Sequence, residues 1–215
     1  MLLVTGQSLA RKFGRRELFS NLDITIQSGE ILGITGGNGS GKSTLSMILL
    51  GQLRPSKGKM QWQLDGRSLS YDERRAISWI VAPYSHWYEP LTADENLRFL
   101  TEVTGRNFDG RAANAALEEV GLTGRGSDQV RTYSSGMKQR LKLAAIEILR
   151  PALLILDEPG STLDNDGHSF LKSKLNHWRS FAAIALATND EREVALCDRQ
   201  LHLLSPGAHE FRGKS

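Results

Sequence analysis

The sequence predicts an α/β fold in which a parallel-sheet core carries an N-terminal β subdomain and an inserted helical subdomain. Continuous apolar stretches at residues 31–34, 153–156 and 181–186 predict buried strands, and such strands alternating with helices are typical of parallel sheets covered on both faces. A glycine-rich segment at residues 36–44 separates the first strand from a helix-spaced apolar run. From residue 84 to residue 150 the apolar spacing becomes helical, which predicts the inserted subdomain.

Length and composition favour one globular domain. The chain has 215 residues, of which 40% are hydrophobic and 24% are charged, enough for one core but hardly for two independent domains. We therefore expect residues 1–215 to form a single domain. In it, residues 1–83 and 151–215 form the α/β core and residues 84–150 form the helical subdomain. The single cysteine, Cys197, excludes an internal disulfide.

No segment predicts membrane insertion or export. The apolar runs are far shorter than the roughly 20 residues of a membrane-spanning helix, and residues 1–10 lack the basic start and sustained apolar run of a secretory signal. The net charge of +3 comes from basic residues spread along the chain, so no specific nucleic-acid partner is expected. We expect a cytoplasmic protein that reaches a membrane only through a partner.

The first predicted unit is a strand, a glycine-rich loop and a helix. Residues 22–26 alternate between apolar and polar side chains, and a turn at residues 28–30 leads into the apolar strand at residues 31–34. After the loop, apolar residues recur at helical spacing as far as Leu53, and Pro55 ends the run.

The glycine-rich loop matches the phosphate-binding pattern G-x-x-x-x-G-K-[ST], which makes the predicted core that of a P-loop NTPase. Glycines allow successive backbone N–H groups to surround a triphosphate, and the following helix adds its positive N-terminal end. We expect Lys42 to contact the β and γ phosphates of ATP and the Ser43 hydroxyl to bind Mg²⁺. The residues predicted to bind nucleotide here are Gly36, Gly37, Asn38, Gly39, Ser40, Gly41, Lys42, Ser43 and Thr44.

Three helices are predicted in the helical segment. Thr92 and Glu95 have the spacing of a capping box at the start of the first. The second covers residues 111–120, and Gly121 suits its C-terminal cap. The third begins after Ser134 and continues up to Pro151, after which the pattern returns to a strand and a helix over residues 165–178.

Two acids follow the apolar strand at residues 153–156. The carboxyl end of a strand in an open α/β sheet opens into the crevice where ligands bind, and Asp157 and Glu158 stand at that end. We expect Asp157 to hold Mg²⁺ through its water shell and Glu158 to orient and polarise the attacking water. Taken without the phosphate-binding loop, the same pair of acids fits a solvated turn.

The segment at residues 133–140, Y-S-S-G-M-K-Q-R, resembles the signature sequence of the ATP-binding cassette (ABC) family, whose core reads LSGGQ. The order of phosphate-binding loop, helical insert, signature and acidic strand extends this resemblance over essentially the whole chain. The resemblance implies that two such domains pack head to tail, with Ser134, Ser135 and Gly136 of one chain close to the γ-phosphate held by the other. From the residues alone, Ser134 also fits an ordinary helix cap.

Two further residues gain a role by the same resemblance. Phe13 lies where the family places an aromatic side chain that stacks on adenine, although it also fits a half-buried core residue. Asp164 resembles the aspartate of the D-loop, which links the two sites of the dimer. A plain helix N-cap is an equally good interpretation of Asp164.

The sequence departs from the family at two positions that concern hydrolysis. The family usually has a glutamine before the helical insert, and residues 81–87 contain none. The family also usually has a histidine after the last core strand, where this chain has Asn189, which can hydrogen-bond a phosphate but carries no positive charge. His86 is a poor substitute, because a lone loop histidine is more often solvated. These changes leave ATP binding intact and predict slow hydrolysis.

The resemblance implies an ATP-hydrolysing subunit of an ABC transporter that works with a separate transmembrane permease subunit. It implies a homodimer or heterodimer of ATPase subunits, peripheral on the cytoplasmic face of the membrane, with ATP and Mg²⁺ as cofactors. The short chain further resembles exporter-type subunits, such as those of haem export in cytochrome c maturation.

Three alternatives stay open at this point. A soluble ABC ATPase acting on DNA or ribosomes usually has two cassettes or long coiled-coil insertions, and a P-loop kinase should have a lid with phosphate-binding arginines in place of the signature. A slow ATP-gated clamp with little hydrolysis agrees with the missing glutamine and histidine.

Overall fold

The computed structural model describes residues 1–204 and 208–213. Its strands are β1 (Leu2–Phe13), β2 (Arg16–Gln27), β3 (Ile31–Thr35), β4 (Lys57–Leu64), β5 (Arg67–Ser68), β6 (Ser78–Val81), β7 (Leu153–Asp157), β8 (Ala183–Ala187), β9 (Arg199–Leu204) and β10 (Ala208–Gly213). Its helices are α1 (Lys42–Leu49), α2 (Tyr71–Ala76), α3 (Ala93–Val103), α4 (Gly110–Glu119), α5 (Ser135–Leu149), α6 (Asn165–Trp178) and α7 (Glu191–Val194), with a 3-10 turn at Val130–Thr132.

The larger sheet has the predicted parallel core. Within the described residues it contains six strands in the order β10-β9-β3-β8-β7-β6. Strands β9, β3, β8, β7 and β6 pair in parallel, and β10 adds an antiparallel edge. Every residue of β3, β7 and β8 is buried, as expected for strands covered on both faces. The predicted α/β fold with a parallel sheet is therefore confirmed.

A smaller antiparallel sheet forms the N-terminal β subdomain, with the strand order β2-β1-β4-β5. Its buried face packs with α1 and with one face of the larger sheet in a single hydrophobic cluster that includes Ile24, Ile48, Trp62 and Ile155. A second cluster, on the other face of the larger sheet, contains the apolar sides of α3, α4, α5 and α6. The phosphate-binding loop thus lies where the two sheets meet.

Helices α3, α4 and α5 follow one another between β6 and β7, as the sequence predicted. Thr92 and Glu95 form the capping box of α3 through reciprocal hydrogen bonds of 3.1 and 2.8 Å, and Gly121 ends the turn after α4 with a left-handed φ of 73°. Helix α6 has the predicted bounds. No helix within residues 1–204 and 208–213 combines the length and apolar character needed to cross a bilayer.

Strand β2 begins at Arg16 rather than at residue 22, and the predicted ends of one helix and one further strand are also wrong. Helix α1 stops at Leu49 rather than near Leu53, because Gly51 adopts a left-handed φ of 74° and its N–H donates to Ile48 at 2.9 Å. Strand β8 starts at Ala183 rather than Phe181, because the N–H groups of Phe181 and Ala182 still bond to Trp178 at the end of α6.

Candidate functional site

The carboxyl ends of four neighbouring strands bring the candidate residues to one edge of the sheet. Strands β3, β8, β7 and β6 are adjacent and parallel, so the segments that follow them converge. Those segments begin with Gly36, Thr188, Glu158 and Ala82. Backbone hydrogen bonds connect these segments. The Glu158 N–H donates to the Ala187 carbonyl at 2.8 Å, and the Thr188 N–H donates to the Ile34 carbonyl at 3.1 Å. This edge is the ligand crevice expected of an open α/β sheet.

The first residue of the phosphate-binding loop has to be glycine. Gly36 has a φ of 143°, and a Cβ atom there would come within 2.5 Å of the Leu203 carbonyl oxygen and 2.7 Å of the Ser40 hydroxyl. Its neighbour Gly37 has no such restriction, because a Cβ atom at that position would meet nothing within 4 Å. The loop therefore depends on glycine at residue 36 for steric reasons and not at residue 37.

Lys42 is the first residue of α1 and lies at the centre of the loop. Its ammonium donates to the Gly36 carbonyl at 2.8 Å and lies 3.7 Å from the Glu158 carboxylate. No acidic residue occupies the first turn of α1, and Gly41 provides no side-chain cap, so the amide end of the helix faces the crevice. A cleft of about 470 Å³ opens here, lined by Leu18, Asn38, Gly39, Gly41, Lys42, Ser43, Thr44 and Glu158. Such a helix end suits a phosphate chain.

Asp157 is a buried carboxylate without a partner. Its residue is 1% exposed, and neither side-chain oxygen makes a hydrogen bond within the described residues. Burial raises the pKa of Asp157, against the opposing effects of the Ser43 and Tyr84 hydroxyls and of Lys42. An unpaired buried carboxylate costs free energy, and a hard divalent cation is the partner that carboxylate and hydroxyl oxygens suit. Asp157 and Ser43 therefore fit the Mg²⁺ that the sequence predicts.

Glu158 has an unusual backbone conformation. Its φ is 49°, a left-handed value that costs a non-glycine residue free energy and that is common at functional sites. The side chain is 35% exposed and points toward Lys42 across the cleft. Of the two acids, Asp157 is thus buried, while Glu158 is partly exposed and lines the cleft.

Phe13 is exposed beside the phosphate-binding loop. It is 51% exposed at the end of β1, which excludes the half-buried core interpretation. Its strand partner Arg16 donates to the Gly39 carbonyl at 2.8 Å, so this hairpin end is joined to the loop. The Arg11 guanidinium stacks on the Phe13 ring at 4.4 Å from its centroid. An accessible ring at this point offers a surface for an aromatic base.

The signature residues are not part of the cleft in the single chain. Ser134 caps α5, accepting a hydrogen bond from the Met137 N–H at 3.2 Å, and Ser135 and Gly136 form the first turn of that helix. The helix-cap interpretation of Ser134 therefore holds within one chain. A role at a nucleotide requires a second copy that faces this helix end.

Asp164 also serves as a helix cap. Its carboxylate accepts from the Gly167 N–H at 2.8 Å and from Arg140 of α5 at 3.1 and 3.2 Å. These contacts lower the pKa of Asp164, with the Gly167 amide contributing most. The segment that begins α6 is thereby bonded to α5.

Asn189 follows β8, and its side chain is exposed at the sheet edge that holds the acids. His86, in contrast, is exposed on the loop after β6. Asn189 is the second residue after β8, and β8 lies between β3, which leads into the phosphate-binding loop, and β7, which ends in the acids.

Sequence reasoning missed contacts from α5 to the loops of the site. The buried Gln139 donates to the Pro159 carbonyl at 2.7 Å, and the buried Lys142 donates to the Ala82 carbonyl at 2.8 Å. The one available sequence signal was Lys142, a lysine within the apolar face of a predicted helix. Lysine is rarely buried without a partner, so this position indicates a polar contact.

Comparisons with known proteins identify the family of the chain. The family model described as ABC transporter matches residues 19–161. An uncharacterised ABC transporter ATP-binding protein of Bacillus subtilis, YdbJ, is 34% identical over 199 residues, covering 90% of this chain and 63% of that protein. The cytochrome c biogenesis ATP-binding export protein CcmA of Nitrosomonas europaea is 33% identical over 193 residues, covering 89% of this chain and 90% of that protein.

Solved structures show the same fold. A structure of an ATP-binding subunit of an ABC transporter superposes with a TM-score of 0.87 at 24% identity, covering 98% of this chain and 90% of that one. An ATP-bound bacterial Atm1-family ABC exporter superposes with a TM-score of 0.82 at 22% identity, and this chain spans 38% of it. With a family match over most of its length and relatives above 30% identity, the chain belongs to the ATP-binding subunits of the ABC transporter family.

Proposed function

We propose that this protein binds and hydrolyses ATP with Mg²⁺ and couples that reaction to transport by a separate transmembrane permease subunit. The observation that supports this most directly is the cleft between Lys42 and Glu158, preceded in the chain by the buried Asp157 carboxylate, whose oxygens make no hydrogen bond within the described residues. A bound phosphate chain would accept hydrogen bonds from the Lys42 ammonium and from the first amides of α1. A bound cation would pair with the buried Asp157 carboxylate.

Each residue has a distinct part in the proposed reaction. Lys42 and the amides of residues 36–44 bind the triphosphate, and Phe13 stacks on the adenine. Ser43 and Asp157 would hold Mg²⁺, which supplies charge neutralisation at the phosphates. Glu158 orients and polarises water for attack on the γ-phosphate. Asn189 donates a neutral hydrogen bond to that phosphate.

A second ATPase subunit completes the proposed site. Ser134, Ser135 and Gly136 of one copy face the γ-phosphate bound by the other, with Asp164 at the junction. The partner is a second copy of this chain or a similar chain, and the pair sits on the cytoplasmic face of the membrane.

Turnover is proposed to be slow. A neutral amide at residue 189 contributes less to a developing charge than a cation, because charge-assisted hydrogen bonds are roughly twice as strong as neutral ones. The neutral side chain at residue 189 therefore slows hydrolysis, whereas ATP binding depends on the phosphate-binding loop, which is intact.

Phosphate release from ATP by the purified protein tests the proposal. We expect release that requires Mg²⁺ and stops in EDTA, and that Lys42→Ala abolishes together with ATP binding. Lys172→Ala is the matched control, because Lys172 is an exposed lysine of α6. Nucleotide affinity that is unchanged by Lys42→Ala would overturn the proposal.

A further inference from the structure

The turn that carries Glu158 has a backbone conformation that other parts of the molecule must hold in place. Glu158 directly follows β7 with a left-handed φ of 49°, and the next residue is Pro159. A residue before proline favours extended backbone, and a left-handed residue other than glycine persists only where the surrounding contacts enforce it. The direction of the Glu158 side chain therefore depends on the contacts of this turn.

A buried amide from α5 provides one of these contacts. Gln139 is 7% exposed, and its side-chain N–H donates to the Pro159 carbonyl at 2.7 Å. The residue lies about one helical turn after Gly136, in the helix that begins with the signature residues. Because a buried carbonyl that loses its donor is costly, this bond ties the position of the turn to that of α5.

Neighbouring elements hold the rest of the turn. The Glu158 N–H donates to the Ala187 carbonyl of β8 at 2.8 Å. On the side of α7, Gly160 lies so close to Glu193 that a Cβ atom at residue 160 would collide with the Glu193 carboxylate. Strand β8 thus holds the start of the turn, α7 restricts its third residue, and Gln139 holds the carbonyl between them.

Gln139 itself lies outside the cleft that the nucleotide would occupy. Among the described residues, those that line the cleft beside Lys42 include Glu158 but not Gln139, and the Glu158 carboxylate lies 3.7 Å from the Lys42 ammonium. Any effect of Gln139 on hydrolysis would therefore act through the turn and Glu158, with the phosphate-binding loop left as it is.

We propose that Gln139 is a positioning residue for Glu158, holding the turn so that the Glu158 carboxylate faces the cleft. The inference rests on the proposed function, in which Glu158 orients the attacking water. A displacement of about 1 Å in a reacting group can lower a rate by about 100-fold, whereas ATP binding depends on the phosphate-binding loop. The helix that begins with the signature residues thereby also fixes the Glu158 of its own chain.

The variant Gln139→Met tests the inference, because it removes the amide donor and keeps a side chain of similar length. We expect the maximal rate of phosphate release to fall by about tenfold, less than the limit for a 1 Å displacement, because β8 and α7 still hold the turn. The affinity for the non-hydrolysable analogue AMP-PNP with Mg²⁺ should stay within about twofold of wild type, since ground-state binding does not require Glu158.

A second variant adds a readout that a simple loss of packing would not change. In Gln139→Glu the ionised carboxylate cannot donate to the Pro159 carbonyl, whereas the protonated acid can. Because burial raises the pKa of a carboxyl group, the deficit in maximal rate relative to wild type should be larger at about pH 8 than at about pH 6. The deficit of Gln139→Met should be the same at both pH values.

Asn96 provides the matched control. It is a buried amide of α3, 1% exposed, and it donates to the Tyr88 and Thr92 carbonyls at 3.1 and 2.8 Å, in a segment that carries no proposed site residue. Asn96→Asp should lower the melting temperature, as the loss of a buried donor does. The maximal rate of the folded Asn96→Asp protein should stay at the wild-type value.

The outcomes separate this inference from the function it rests on. Mg²⁺-dependent phosphate release by the wild type, with an unchanged maximal rate in Gln139→Met, would overturn the inference and leave the proposed function standing. An equal fall in rate for Gln139→Met and Asn96→Asp would do the same, since lost stability alone would then account for it. A wild-type protein that releases no phosphate from ATP with Mg²⁺ would overturn both.

Discussion

Substitution of Gly36 by alanine should damage ATP binding, whereas the same substitution at Gly37 should not. The added Cβ atom at residue 36 would lie 2.5 Å from the Leu203 carbonyl oxygen, on a backbone with a φ of 143°. Backbone strain of this type costs about 1–3 kcal/mol. If the loop relaxes by leaving its phosphate-binding conformation, this cost lowers ATP affinity by about 5- to 150-fold, since 1.4 kcal/mol corresponds to a factor of ten.

Isothermal titration calorimetry with AMP-PNP and Mg²⁺ measures the affinity, and differential scanning calorimetry measures the melting temperature. Any part of the strain that stays in the folded loop lowers the melting temperature, by roughly 2–4 °C per kcal/mol for a domain of this size. Gly37→Ala carries the same added methyl group into open space. Equal affinities and melting temperatures for the two variants would refute the steric argument.

The remaining predictions concern hydrolysis and pH. Asn189→His should raise steady-state phosphate release by about tenfold, or roughly 1.4 kcal/mol off the barrier, and Asn189→Ala should lower it while sparing AMP-PNP affinity; equal rates for the three proteins would contradict a contact with the reacting phosphate. Glu193 is buried, and burial raises its pKa, with Asp190 and Glu158 adding to the effect. The folded state therefore holds this proton more tightly than the unfolded chain, and stability is lost as pH rises through the folded pKa. Glu193→Gln should raise the melting temperature at about pH 8 and do so less at about pH 5; a gain that is independent of pH would show that the charge is not the cause.

Much of the core was predictable because its signals are local. The phosphate-binding loop has its glycines and Lys42 in one short segment, and β7 is a run of apolar residues that ends in acids. Asp164 caps the start of α6, and Ser134 caps the start of α5. Each of these features depends on residues that are close in sequence.

Strands β1 and β6 were not predicted, because their patterns are irregular or short. In β1 the pairing register shifts after Gly6, and Ser8 adopts a left-handed φ of 47°, which breaks the alternation of buried and exposed positions. Strand β6 spans four residues, three of them only partly buried. The antiparallel pairing of β1 and the parallel pairing of β6 are set by tertiary contacts rather than by propensity.

The contacts between α5 and the loops of the site could not be predicted from the sequence, because they are also set by tertiary packing. Lys142 reaches Ala82 only because α5 packs beside β6. Asp164 could be assigned to a cap or to a D-loop from its sequence. The structure shows the cap, and the D-loop role needs a second chain.

The central claim is that ATP is hydrolysed between two copies of the cassette, and the Glu158→Gln variant tests it most directly. Multi-angle light scattering in ATP and Mg²⁺, run beside a phosphate-release assay, measures both parts of the claim. The account predicts that Glu158→Gln binds ATP, releases little phosphate, and has about twice the mass of one chain in ATP but not in ADP. A variant that hydrolyses ATP at the wild-type rate would contradict the role of Glu158, and one that stays monomeric in ATP at high protein concentration with its ATP affinity intact would contradict a site formed by two copies of this chain.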